Sequence, residues 1–214
     1  MAPTTIDLDT KLSAVNAILG AIGQAPVTTL GTVSTTDNVE AYDNPEVAVI
    51  FNLLRDANVD TQSEGWHFNT EYHYPFSPDN NNKIAIGDDI LSLDLHDNKH
   101  DRKYDLVRRN GFLYDKITHR NDIFTSDIEL DVVRLVAFEE LPTVFRRYIT
   151  YRASRVAATQ LVANPSLVKM LGTQEQFARA ALMEYECNQG DHNMLGFEQG
   201  QTYRTYQPWR NLRR

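Results

Sequence analysis

The chain holds one cysteine, Cys187, so no internal disulfide can form, which suits a reducing compartment. No apolar run approaches the roughly 20 residues that a membrane span requires, and the start, MAPTTIDLDT, lacks the basic and apolar stretches of a secretory signal. Neither membrane insertion nor export is expected. Cations are in deficit: 21 Lys and Arg face 29 Asp and Glu, a formal charge of -8. Counterion release to clustered Lys and Arg drives binding to phosphates, so this balance argues against wrapping DNA and for leaving it mobile. The motifs G-x-x-x-x-G-K-[ST], G-x-G-x-x-G, H-E-x-x-H and G-x-S-x-G are missing too, and no cofactor or metal is expected.

What is present is ordinary for a folded protein: 214 residues, 42% hydrophobic and 23% charged, enough for one domain or one domain carrying an insertion. Four segments have helical period. The first is capped by Asp9 or Thr10, carries Leu12, Val15, Ile18, Leu19 and Ile22 on one stripe, and ends at Gly23 before Pro26. Residues 28–43 are polar and without period, a long loop. Asn44-Pro45 is a cap followed by a first-turn proline, opening a second helix with Val47, Ile50, Leu53, Leu54 and Ala57 aligned, ending near Gly65. A third helix opens at Pro142 and buries Phe145, Tyr148, Ile149, Ala153 and Val156, drifting to Ala157 and Leu161, until Asn164-Pro165 stops it. The fourth opens on Thr173-Gln174-Glu175-Gln176, which reads as a capping box, with Phe177, Ala180, Ala181 and Tyr185 on one face.

Between Trp66 and about Phe138 the period changes to two, most clearly at Leu91, Leu93, Leu95 and at Ile128, Leu130, Val132. Asn110-Gly111, between Val107-Arg108-Arg109 and Phe112-Leu113-Tyr114, predicts a two-residue hairpin turn, because both positions tolerate positive φ. The expected fold class is α+β: a four-helix bundle with an inserted small antiparallel β region and an extended C-terminal tail. The expected domains are residues 1–65 with 139–195 for the bundle, 66–138 for the insert and 196–214 for the tail. Beyond Glu198 the tail has no acid, and Tyr203, Arg204, Tyr206, Trp209, Arg210, Arg213 and Arg214 interleave aromatic with basic character. It reads either as a frayed terminus or as an arm that orders on a protein partner, since Trp, Tyr and Arg dominate binding hot spots.

Chemistry has few candidates. His96 and His100, flanked by Asp97 and Asp101, have the four-residue spacing of metal ligands but sit in a charged loop, where solvation is the ordinary reading. Cys187 and His192 lack a third group to orient the histidine, so a buried structural cysteine is expected. Asp88-Asp89 and Glu139-Glu140 offer the paired carboxylates of a glycoside hydrolase. With so many acids, adjacency carries little information; a turn after Gly87 and a favourable charge at a helix start account for both pairs.

Five blocks in order, AVNAILGAIGQAPVTTL, SEGWHFNTEYHY, RRNGFLYD, VVRLVAFEELPTVFRRYITYRASR and ALMEYECNQGDHNML, resemble the tail tubular protein A family, the head-to-tail adaptors or gatekeepers of short-tailed phages (podoviruses). The resemblance runs from about Leu12 to Leu195; the HDNKHDRK loop and the tail depart from it. It implies a helix bundle with an inserted β region and a structural, non-enzymatic virion protein of the tail, assembled in the host cytoplasm. It implies a closed ring of about twelve subunits between the portal protein and the tail nozzle (tubular protein B), with tail fibres attached near its lower edge. It also implies that genomic DNA passes through the lumen during ejection without specific binding. On that implication the tail is a portal-docking arm, and Tyr148, Tyr151, Arg152 and Arg155, polar or large for a tight core, are candidates for a subunit interface. An ordinary helix surface with tyrosines covering the core is the other reading of those four. The alternative function is a tail-associated glycoside hydrolase.

Overall fold

The computed structural model describes residues 10–33, 40–42, 44–95 and 103–189. In chain order the elements are α1 (Lys11–Ala21), β1 (Thr32–Val33), β2 (Glu40–Ala41), α2 (Pro45–Gln62), β3 (Thr70–Phe76), β4 (Ile90–Leu95), β5 (Leu106–Arg109), β6 (Phe112–Asp115), β7 (Ile128–Arg134), α3 (Thr143–Ala157) and α4 (Pro165–Gln189). Helices and antiparallel strands together make the protein α+β. The described residues divide into two compact units. One holds the chain up to Glu64 together with Val136–Tyr185; the other holds Gly65–Leu135 and the end of α4 from Glu186.

In the helical unit, local chemistry fixes each helix end. Thr10 and Ser13 exchange backbone and hydroxyl bonds at the start of α1, a reciprocal cap. Gly23, at φ 81°, ends α1: its amide donates to Gly20 O and the next amide, of Gln24, donates to Leu19 O at 2.9 Å. The Asn44 side chain caps α2 through the Glu46 amide, with Pro45 in the first turn. Val15, Ile18 and Leu19 of α1 and Ile50 and Leu54 of α2 are buried, as are Phe145, Ile149, Ala153 and Ala157 of α3. The alanines let the helices approach closely.

A four-helix bundle does not describe the arrangement. Helix α4 is 25 residues long and buries only Leu171 and Leu182, whereas α1, α2 and α3 pack on one another. Its start also differs from the sequence expectation. Asn164 stands between the two helices and caps the second: its side chain accepts from the amides of Ser166 and Leu167, so α4 opens at Pro165. Thr173 lies inside the helix and donates its hydroxyl to Lys169 O, so with Gln176 it forms no capping box at a helix start. Before Asn164, α3 loosens into a π turn over Ala158–Val162, closed by Ala163 N–H to Ala158 O, and Ala163 takes a left-handed φ of 53°. The looser turn rotates Leu161 away from the stripe on which the sequence places it, leaving it 47% exposed.

Side-chain amides substitute for backbone where the chain changes direction. Asn16 pairs with both polar groups of Val27, at 2.9 and 2.8 Å, pinning the segment after α1. Gln62, the last residue of α2, is fully buried: its amide nitrogen donates to Val136 O at 3.0 Å and to Asn58 at 2.9 Å, and its carbonyl accepts from Val136 N–H at 2.8 Å. An amide carries the same donor and acceptor as a peptide group, so it completes one rung of a ladder without a strand.

In the second unit β7 is central, in the order β3-β7-β4, and its Ile128, Leu130 and Val132 are buried. Beside them Ile84, Ile86, Leu113 and Phe124 complete one cluster. The hairpin β5–β6 turns at Asn110 and Gly111, with φ of 52° and 75°. Asn69 fixes the start of β3, donating to Arg134 O at 2.9 Å while accepting from Trp66 N–H at 2.8 Å. Strand β3 carries a bulge between Glu71 and Tyr74, where His73 adopts φ 56° and its amide donates to Asp131; Tyr72 is left 68% exposed. Asp115, fully buried after the hairpin, accepts from the amides of Asp105, Ile117 and Thr118 and from the Thr118 hydroxyl. Burial pushes its carboxyl up, but those four hydrogen bonds prevail and hold it below the ordinary carboxylate value.

Stability measurements check both buried polar groups. Replacing Gln62 by Ala orphans both polar groups of Val136, so denaturant melts should show a loss of about 2–4 kcal/mol with an unchanged m-value. The charge on Asp115 stabilises fully above its ordinary value of about 3.9 and is lost as pH falls through its lower folded value. The stability gap between the wild type and Asp115→Asn should therefore be widest above about pH 5 and narrow as pH falls below the ordinary carboxylate value; a gap independent of pH would contradict the assignment.

Candidate interaction surface of the helical unit

The charged and aromatic residues of α3 divide between internal ties and an outer face. From Thr143 to Ala157 there are four arginines and no acid. Arg152 donates to Asp60 at 2.9 Å and lies 4.0 Å from Glu64. Arg155 binds Glu175 of α4 through Nε and Nη2. That hydrogen bond, against the opposing effect of burial, holds the guanidinium protonated more firmly than usual. Tyr148 is buried under the Arg179 guanidinium, 5.3 Å from the ring centroid, and Arg179 in turn grips Glu64 at 2.6 Å. For Arg179 burial works against the charge, and Glu64 and Tyr148 more than offset it.

Of the four residues singled out on α3, three therefore tie α2, α3 and α4 together, and Tyr151 alone stays exposed, at 37%. Arg147, one turn before Tyr151, is exposed as well and has no ion pair among the described residues. The portal-docking arm residues Tyr203, Arg204, Tyr206, Trp209, Arg210, Arg213 and Arg214 lie outside the described residues, as do His96, His100 and His192.

Sequence periodicity misses the larger feature. A helix packed on a core turns its polar side to water, yet the outer side of α4 mixes large apolar residues with polar ones: Phe177 is 73% exposed, Met170 63% and Met183 44%, beside exposed Lys169, Thr173, Gln176 and Glu184. With Leu161 and Val162 in the π turn before it, this stretch holds five of the large apolar side chains that lie open to solvent. The signal is in the sequence, because Met170, Phe177 and Ala181 recur on one helical face. Periodicity assigns that face to the core, whereas Leu171 and Leu182, about a third of a turn away, are what α4 buries.

Chemistry at a pocket has no comparable support. Asp88 is held by Arg108, Asp89 lies 3.8 Å from Arg134, and Glu139 lies 3.8 Å from Lys11. Among the described residues no group of three His, Cys, Asp or Glu is placed to hold a metal ion. Cys187 is exposed, not buried as expected, because it falls one turn past Met183 on the open side of α4. Among the described residues no helix is long and apolar enough to cross a membrane.

Compared with known families, the chain matches the model described as tail tubular protein over residues 12–192. No curated protein matches the chain. The family match spans β1 to β7 and all four helices apart from the first residue of α1.

The ties and the outer face should respond differently to substitution. Phe177→Gln should change the melting free energy by less than about 0.5 kcal/mol, because the ring contacts mostly water. Arg155→Ala should cost about 2 kcal/mol, because it leaves the largely buried Glu175 carboxylate without its partner. Thermal melts of the two variants check this; equal losses would show that Phe177 is a core residue.

Proposed function

We propose, from the premise that the chain belongs to the tail tubular protein family of phage virion tails, that it is the head-to-tail adaptor subunit that joins the portal to the tail nozzle. Membership makes it a structural component of the tail. The finer role is that copies assemble into a closed ring of about twelve, part of the conduit for ejected DNA, with the nozzle tubular protein B and tail fibres as further partners. Assembly would take place in the host cytoplasm before the tail is complete. The family match over residues 12–192 carries the reading. Two features of the molecule support it: a helix whose outer side exposes Phe177, Met170 and Met183, and an acidic charge suited to a wall along which DNA slides.

The domains in this reading are the helical domain of residues 1–65 and 139–195, which builds the ring, the β insert of residues 66–138, and the arm of residues 196–214, which grips the portal. Tyr148, Tyr151, Arg152 and Arg155 serve the subunit interface, Tyr151 by contact and the others by holding α2, α3 and α4 in one rigid face. Charge sets how DNA is handled. A ring of about twelve copies carries roughly -96 of formal charge, and the part that lines the lumen repels phosphate within a Debye length, about 8 Å at physiological salt. The collar is passive: it works by assembly and by repulsion, and any gating falls to loops and not to catalysis.

Two measurements test this. Double-stranded DNA should show no salt-sensitive binding to the protein in low-salt titrations; tight binding that weakens with added salt would contradict a repelling wall. Removal of residues 203–214 should leave the melting temperature unchanged and abolish co-sedimentation with the portal protein. Undiminished co-sedimentation would remove the arm from the docking site.

A further inference from the structure

Within one chain, α4 meets the end of α2 through Arg179 and Glu64, while the outer faces of both helices stay open. On α4 that face presents Lys169, Thr173, Phe177 and Ala180. Lys169 has no ion pair among the described residues. On α2 it presents Val49, 41% exposed, with Asn52 and Asp56. The Asp56 carboxylate has one ion pair, to its exposed neighbour Arg55 at 3.8 Å, which contributes little.

We propose that the outer face of α4 docks on the outer face of α2 of a second copy of this chain, antiparallel, with Phe177 against Val49 and Lys169 against Asp56. The inference rests on the adaptor-ring reading and supplies its contact. The spacing supports it. Val49 and Asp56 are seven residues apart and Phe177 and Lys169 eight, so each pair spans roughly 10–12 Å along its helix. Only the antiparallel direction brings both pairs together. Set parallel with Lys169 near the start of α2, Phe177 would meet the Asp56 carboxylate; set parallel with Phe177 on Val49, Lys169 would fall beyond the helix.

Ala180 and Asn52 are small enough to let the two helices approach. Because α2 and α4 of one chain leave Phe177 and Val49 both exposed, the contact has to form between molecules. Each subunit offers one face of each kind, which is the head-to-tail arrangement that closes into a ring. The pairing also explains why a helix with so little buried surface keeps Phe177 on its outer side: its second burial occurs on assembly.

Disulfide trapping tests the contact in the full chain. In a Cys187→Ser background, Val49→Cys combined with Phe177→Cys should, when assembled on the portal protein and oxidised, give a ladder of linked multimers on a non-reducing gel. Either single variant should give none. Charge exchange is the second arm: Lys169→Glu should raise the protein concentration needed for assembly about tenfold, and Asp56→Lys in the same chain should restore it. All these positions are exposed, so melting temperatures should stay within a few degrees and any loss is one of assembly. Assembly without a ladder and without rescue would overturn this pairing and leave the adaptor reading standing. Failure of the unaltered protein to assemble on the portal would overturn the adaptor reading itself.

Discussion

Everything in the helical unit depends on one amide being treated as backbone. Gln62 closes α2 with both of its polar groups on Val136, 74 residues further along the chain. Without that pairing, the last turn of α2 and the segment leading to α3 would each bury polar groups that no strand or helix satisfies. Asn16 does the same for the segment after α1, and Asn69 for the first strand of the second unit. A chain that leaves a helical unit and returns to it must hold both its departure and its return in register. Here a buried side chain does so, and the helices on either side can then pack as if continuous.

The proposed function depends on how the remaining helix is held. Helices α1, α2 and α3 supply most of the buried apolar surface, and α4 is held by its buried Leu171 and Leu182, by Tyr185 edge-on to Phe145, and by the pairs of Arg155 with Glu175 and Arg179 with Glu64. Charge-assisted bonds fix direction better than apolar contact does. A helix anchored this way can be stiff while its outer side stays free for a partner. On the proposed interface reading, Arg152, Arg155 and Tyr148 act at one remove from the contact, by tying together the helices that present Phe177 and Met170. On the proposed reading the -8 charge belongs to the same logic, because a tail component that lets DNA pass gains from a surface that offers phosphates few partners.

Much of the fold was legible because it is written in local periodicity and caps. Thr10, Gly23, Asn44-Pro45 and Asn110-Gly111 mark ends and turns through backbone chemistry that does not depend on distant contacts. The central strand showed because Ile128, Leu130 and Val132 alternate over a buried face. Strand β3 did not show, since its bulge and its exposed edge spoil the alternation. The start of α4 was misplaced because Asn164-Pro165 suits a helix end and a helix start equally well, and only the turn at Ala163 decides that it is both. Gln62 and Asp115 were invisible for a different reason. Their value lies in partners that are brought to them by the fold, and nothing in a single polar residue announces that it will be buried. The outer face of α4 was legible as a stripe but not as a surface, because periodicity says which residues share a side and not which side is covered.

The proposal that this protein works by joining copies of itself around the path of DNA is tested most directly by electron micrographs of the purified chain mixed with its portal protein. Closed rings of about twelve subunits should be seated coaxially on the portal, with an open channel through both. Portal particles that remain bare at saturating concentrations of a folded chain would contradict it.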